Sequence, residues 1–219
     1  MLFRTLTAWL ASAALAFGAA AAQAQTKPAD VLIKEVSTDV LDAVKADKSI
    51  QAGDVNKIMT LVDSKVMPHV NFQRMTSAAV GRYWRQATPD QQKRLQDEFK
   101  TLLVRTYSGA LSQVRDQTVQ LKPMRGNPDD PELVVRTEIR GRGDPIQLDY
   151  RLEKTAEGWK IYDVNVLGVW LVDTYRTQFA QEINKSGIDG LIAALAARNK
   201  GNGKGSAKSN SKGNGLIDI

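Results

Sequence analysis

Leu148-Asp149-Tyr150-Arg151-Leu152-Glu153-Lys154, a turn at Glu157-Gly158, Trp159-Lys160-Ile161-Tyr162-Asp163-Val164-Asn165-Val166, and then an apolar run reaching Ala197: this stretch decides the fold. In its first segment Ile146, Leu148, Tyr150 and Leu152 alternate with Gln147, Asp149, Arg151 and Glu153. A period of two marks a strand with one buried face. Residues 159–166 form a second strand across the turn, and the chain becomes helical near Val169 with no Pro or polar linker between. A hairpin that feeds straight into a helix folds that helix over the sheet's apolar face.

Working back from the hairpin, residues 118–124 and 132–140 read as two further strands. Leu133, Val135 and Ile139 alternate with Val134, Arg136, Glu138 and Arg140, and Pro- and Gly-rich turns separate the segments. Together these predict a four-stranded antiparallel meander with one apolar face. Upstream everything is helical. Leu32, Val36, Val40 and Val44 step by four through residues 29–47. Asp54 caps a second helix with Val55, Ile58, Met59, Val62 and Val66 on one side, ended by Pro68. Asn71 caps a third, which stops near Gly81. Thr88-Pro89-Asp90-Gln91 carries a capping box and a Pro at the first helical position. The long helix after it has Leu95, Phe99, Leu102, Leu103, Tyr107 and Leu111 on its inner face. Downstream, helices are predicted over 169–183 and, after Gly187, over 188–197. The expected class is α+β: a four-stranded antiparallel sheet covered by helices in a nuclear-transport-factor-2-like cone, with an added N-terminal helical part.

The ends of the chain read differently. Residues 1–24 have a charged start at Arg4, an Ala-rich apolar run and an Ala22-Gln23-Ala24 cleavage site, the pattern of a secretory signal peptide. That predicts a mature chain from Gln25 and a periplasmic location. Residues 25–198 then form one domain, with a helical half over 28–115 and the sheet and C-terminal helices over 116–198. Residues 199–219 are mainly Gly, Asn, Ser and Lys, a composition expected to stay disordered, with lysines recurring every four residues. Such lysines suit transient contact with an anionic membrane surface. The formal net charge of +6 falls to +5 when Arg4 is removed, and acidic residues are interleaved with the basic ones throughout. That pattern is no nucleic-acid-binding stripe. There is no Cys, so disulfides and Cys metal sites are excluded, and His69 alone cannot build a multi-His site. No nucleophile elbow and no His-Glu-x-x-His motif occurs.

The motifs that remain form an ordered set: Pro68-His69-Val70-Asn71-Phe72, Gly81-Arg82-Tyr83-Trp84, Phe99-Lys100-Thr101-Leu102-Leu103 leading to Tyr107, Gly158-Trp159-Lys160-Ile161-Tyr162-Asp163-Val164, Gly168-Val169, Tyr175-Arg176-Thr177-Gln178-Phe179 and Gly187-Ile188-Asp189-Gly190-Leu191. In this order, over residues 31–197, the chain resembles the MlaC family of periplasmic phospholipid-binding proteins, also described as toluene-tolerance proteins. The resemblance implies a carrier that takes phospholipid between an outer-membrane lipoprotein and porin complex and an inner-membrane ABC transporter complex, keeping the outer leaflet asymmetric. It implies no catalysis and no cofactor beyond the lipid cargo. One departure stands out: the family's Glu-Gly-Val-Ser type turn is Leu167-Gly168-Val169-Trp170 here.

Acyl chains in water cost roughly 0.8 kcal/mol per methylene, so a carrier needs a dry, uncharged cavity. The expected lining is Met59, Val62, Phe72, Met75, Val80, Tyr83, Phe99, Leu103, Tyr107, Leu148, Tyr150, Val164, Val166 and Val169. Arg82 and Arg151 are candidates to reach a headgroup phosphate. Two other readings remain open. An isomerase-type enzyme on the same fold would need an acidic base in the pocket, with Asp149 and Asp163 as candidates. Asp149 lies on the polar face of its strand, whereas Asp163 shares parity with Trp159 and Ile161. A periplasmic adaptor that binds no lipid is the third.

Overall fold

The computed structural model describes residues 27–201; the predicted signal peptide and most of the predicted tail lie outside them. Helices come first: α1 (Ala29–Ala46), α2 (Lys48–Gln51), α3 (Val55–Leu61), α4 (Phe72–Val80) and α5 (Pro89–Ser112). Strands β1 (Thr118–Leu121), β2 (Glu132–Arg140), β3 (Ile146–Thr155), β4 (Gly158–Val166) and β5 (Val169–Trp170) follow, and α6 (Leu171–Gly201) closes the chain. The predicted caps are present. Asp54 accepts from the Asn56 and Lys57 N–H groups, and Asn71 from that of Arg74. Thr88 and Gln91 close a reciprocal capping box at 3.2 and 3.0 Å. These bonds satisfy N–H groups that have no partner inside the helix.

Several boundaries move. The second helix is α-helical only to Leu61, then widens into a π-helical turn over Val62–Val66 and tightens into a 3-10 turn over Met67–His69. Pro68 lacks an N–H and its ring crowds the carbonyl four residues back, which disrupts the regular ladder. The first strand stops at Leu121, just ahead of Pro123, which has no N–H to donate. Asp47 caps an unpredicted single turn, α2, through the N–H groups of Ser49 and Ile50. A 3-10 turn over Gly81–Gln86 follows α4. The last helix runs to Gly201, past the expected end at Ala197, so the first residues of the predicted tail are helical. Asn199 is held there by its amide, which donates to Glu98. Gly187 (φ 74°, ψ −178°) breaks α6 at the predicted place.

The class is α+β, with the sheet one strand larger than expected. All five strands are antiparallel, in the order β1-β2-β3-β4-β5. The extra strand forms because Leu167 and Gly168 make a two-residue hairpin loop in which both φ angles are positive, 53° and 91°. That geometry returns the chain alongside β4 for two residues before the helix starts.

Register decides the faces. Leu148 pairs with Val166, Tyr150 with Val164 and Arg151 with Asp163, but Leu152 pairs with Ile161. One extra residue on β4 makes a bulge at Tyr162, and a bulge switches side-chain parity beyond it. Trp159, Ile161, Val164 and Val166 therefore share the apolar face, while Asp163 and Asn165 point to the other. The apolar face is covered at one end by α1, where Ala29, Leu32, Ile33 and Val36 pack on Leu133, Val135, Leu152, Trp159 and Ile161. A second cluster joins the C-terminal part of α1 to α3 and α5 through Leu41, Val44, Ile58, Leu61 and Val104. The third is helical, with α6 packed against both α4 and α5.

Candidate functional site

The three clusters leave a seam between them. Its walls are Ile58, Val62, Val66 and Met67 from α3 and the loosened turns after it, and Val70, Phe72 and Met75 around the start of α4. Lys100, Leu103, Val104, Tyr107 and Leu111 of α5, Val164 of β4 and Leu171 of α6 complete it. The groove holds about 190 Å³. It crosses the sheet–helix junction because Val70 and Val164 pack against both the strand cluster and the helical one.

The floor is tied down. The Asn71 N–H donates to the Ile161 carbonyl at 2.8 Å, and Val70 bridges Ile161 in parallel. The Lys160 ammonium donates to the Pro68 carbonyl at 2.9 Å. On the far side of α4, Arg74 pairs with Glu132 at 2.5 Å and with Glu153, and its guanidinium lies 3.7 Å from the Tyr162 ring centre. The Tyr162 hydroxyl donates to Glu132 at 2.8 Å. Arg74 and that hydroxyl hold the Glu132 carboxyl below its ordinary pKa.

Polar groups at the groove are few. Burial, with Tyr175 beside it, pushes the Tyr107 phenol up to about 12, so it is neutral at any physiological pH. The Lys100 ammonium leaves the wall to donate to Asp63 Oδ1 at 2.8 Å. A larger depression of about 510 Å³ sits at the 113–117 turn and the β2–β3 hairpin, but Arg115, Asp116, Gln117, Arg142 and Gly143 line it, with no hydrocarbon side chain among them. Only the smaller one offers apolar walls.

Of the expected lining, Val62, Phe72, Met75, Leu103, Tyr107 and Val164 meet at the groove. The rest lie elsewhere. Phe99 and Val80 are fully buried in the helical core, where the Phe99 ring stacks edge-on against Tyr175 and Phe179. Met59 packs on the α1–α3 cluster, and Val166 on the helical one. Tyr150 packs on the α1–sheet cluster with its hydroxyl 3.5 Å from that of Ser37. Leu148 is half-buried opposite Thr137. The Tyr83 hydroxyl donates to Asn184 at 2.5 Å, and Val169 is exposed on the short edge strand. Neither arginine reaches the groove wall. Arg82 donates to the Tyr83 hydroxyl, and Arg151 pairs with Asp163 at 2.9 Å and Asp173 at 3.6 Å while stacking on Trp170.

The expected parity of Asp163 with Trp159 and Ile161 is overturned by the bulge at Tyr162. Asp163 is fully buried on the polar face, where its Oδ1 accepts the N–H groups of Val164 and of Val172 in the first turn of α6. Burial raises its pKa, opposed by these two donors and by Arg151. Asp149 is on the polar face as read, but buried, with Gln147 donating to its Oδ2 at 3.0 Å. Both carboxylates face away from the groove.

Sequence reading missed Ile58, Val66, Met67, Val70, Lys100, Val104, Leu111 and Leu171. A signal for Lys100 exists. Residues 100, 103, 104, 107 and 111 share one helical face, so a lone cation sits at the head of an apolar stripe. Among the described residues no helix is long and apolar enough to cross a membrane, and no group of His, Cys, Asp or Glu could hold a metal.

Comparison with known proteins gives consistent matches. The family model described as MlaC protein matches residues 34–197. The intermembrane phospholipid transport system binding protein MlaC of Haemophilus influenzae is 26% identical over 176 residues, covering 78% of this chain and 82% of its own. The toluene tolerance protein ttg2D of Pseudomonas putida is 28% identical over 168 residues, covering 76% and 77%. A phospholipid-binding protein from Ralstonia solanacearum, solved in complex with a phospholipid, superposes with a TM-score of 0.79 at 46% identity, covering 81% of this chain and all of its own.

Proposed function

This chain belongs to the MlaC protein family, and from that premise we propose that it is a periplasmic phospholipid carrier whose acyl chains lie in the groove between α3, α4, α5 and the sheet. The observation that carries the reading is the wall itself. Apart from the Lys100 stem and the Tyr107 ring, every lining side chain is a hydrocarbon, Met or Phe, and Tyr107 is neutral. Such a surface binds methylenes and rejects charge. Two methionines among the liners suit a cargo of variable shape. The relatives' names and the phospholipid bound to the Ralstonia protein support the same assignment.

At about 190 Å³ the groove is smaller than the roughly 300–1,000 Å³ of ordinary small-molecule pockets, so a diacyl lipid has to widen it. The π-helical turn at Val62–Val66 is the wall suited to move, since it lacks a regular ladder and faces solvent at Asp63, Ser64 and Lys65. The α4 wall is held by Arg74 and by the Ile161 bridge. In this account the carrier shuttles lipid between complexes at the outer and inner membranes, helps maintain outer-membrane asymmetry, and performs no chemistry. The isomerase alternative loses its support, because both candidate bases are turned to the opposite face of the sheet.

The test is purification without detergent followed by lipid extraction and mass spectrometry. Co-purified diacyl phospholipid, exchangeable with labelled vesicles, is the expected result. A protein that carries no lipid and takes none from vesicles would sink the proposal and favour an adaptor. Catalytic turnover abolished by Asp163→Asn would revive the enzyme.

A further inference from the structure

Among the described residues, Lys100 is the one charged side chain in the groove wall. Its ammonium is bonded to Asp63 at 2.8 Å across the mouth, and Asp63 lies between Val62 and Val66, in the loosened turn that forms the facing wall. Both side chains are partly in water, 26% and 47% exposed. Three neighbouring cations are held by other partners: Arg74 by Glu132 and Glu153, Arg151 by Asp163 and Asp173, and Lys160 by the Pro68 carbonyl.

Resting on the carrier reading above, we propose that Lys100 holds the phosphodiester of the lipid headgroup at the mouth of the groove, and that Asp63 is the anion it exchanges for that phosphate. The chemistry matches. A carboxylate and a phosphodiester each carry one negative charge, and an ammonium accepts either without a fixed geometry. An exposed ion pair contributes little to stability, so exchanging one anion for the other is nearly neutral. The exchange also does mechanical work. Once the phosphate sits on Lys100, Asp63 faces a like charge and the Val62–Val66 turn is pushed outward, in the direction that makes room for acyl chains. Reading a headgroup through one ammonium senses the phosphate that all phospholipids share and ignores what is attached beyond it.

The experiment uses stripped full-length protein and two probes, dioctanoyl phosphatidylglycerol and dioctanoyl glycerol, which share acyl chains and differ in the phosphate. Lys100→Gln should weaken binding of the phosphate-bearing lipid about three- to ten-fold and leave the diacylglycerol unchanged. Lys100→Arg should retain binding, and Asp63→Asn should tighten the phosphate-bearing lipid alone. High salt should erase these differences. Titration with inorganic phosphate alone should give no saturable binding; a Lys100-dependent phosphate site without lipid would overturn the headgroup assignment. Equal loss of both lipids in Lys100→Gln, no loss of either, or weaker phosphatidylglycerol binding in Asp63→Asn would make the pair a structural strap and overturn the proposal. If the unmodified protein binds neither lipid, the carrier reading itself falls.

Discussion

Helix α5 presents two flanks that look alike in sequence and end differently in the structure. On one, Leu95, Phe99 and Leu102 are wholly buried against α6, and the Phe99 ring lies 4.9 Å from that of Tyr175 and 5.2 Å from that of Phe179, both edge-on. On the other, Leu103, Tyr107 and Leu111 remain half-buried along a groove. The difference lies in what each flank meets. A regular helical segment ahead of Gly187, with Tyr175 and Phe179 at a step of four, fills one side to crystal-like density. A segment loosened by Pro68 and a sheet edge bent by a bulge leave the other side unfilled. A hydrophobic stripe is necessary for both a core and a lipid site, and the regularity of the facing element separates them.

The largest expected effect is on the filled flank. Phe99→Ala removes the hub of the ring cluster and should cost about 3–5 kcal/mol in denaturant unfolding of the stripped protein. A loss under about 1 kcal/mol would mean that this flank is not packed as described. Next is the alkaline limb. The Tyr107 phenol titrates at about 12 in the folded protein against an ordinary 10.0. A raised folded pKa means that stability is complete below pH 10 and is lost as the pH climbs toward 12. Tyr107→Phe should lose less stability than the unmodified protein across that window and bind lipid equally well; parallel melts with identical pH dependence would show that Tyr107 is not shielded.

Arg74→Ala tests the fixed wall of the open flank. It removes two partly exposed ion pairs and a stacked ring, so about 1–2 kcal/mol should be lost, after discounting for solvent. Amide exchange should quicken at Val70 and Asn71 before it does in α6. Uniform quickening would mean that α4 and the sheet open as one unit. The smallest effect is at the hairpin before α6. Leu167 holds φ 53° while 61% exposed, a conformation that Asn tolerates better than Leu. Leu167→Asn should raise the unfolding free energy by about 0.5–1 kcal/mol, and an unchanged or lowered value would remove backbone strain from the account.

Much of the fold was legible because its signals are local. The helix caps at Asp54, Asn71 and Thr88, the stop at Gly81, the break at Gly187 and the alternation in β2 and β3 each sit within a few residues of sequence. The class and the helical inner faces followed from them. What escaped depends on register. Nothing near Tyr162 marks a bulge, so strict alternation puts Asp163 on the face of Trp159, and only the register moves it to the other. The fifth strand leaves no signal, because Leu at the first position of a left-handed turn is uncommon and the apolar run after it reads as the helix. Within the site, Phe99 and Leu103 could not be separated by pattern alone, since both belong to one amphipathic helix. Val66, Met67 and Val70 flank a Pro that reads as an ending, although the chain around it forms a wall.

Leu102 and Leu103 are neighbours on α5 that fall on opposite sides of this division: Leu102 is fully buried in the core and Leu103 lines the groove. Changing each to Trp, then measuring lipid phosphorus per protein as purified and denaturant melts after stripping, tests the central claim most directly. Comparing stripped forms removes the stabilisation that bound lipid itself adds. Leu102→Trp overpacks a closed core and should cost about 1–3 kcal/mol or more in the stripped protein. Leu103→Trp should cost less than about 1 kcal/mol once stripped, yet fill space that acyl chains need, so that most of the co-purified lipid is lost. Full lipid content in Leu103→Trp, with a stripped protein as destabilised as Leu102→Trp, would contradict the account and make the groove part of the core.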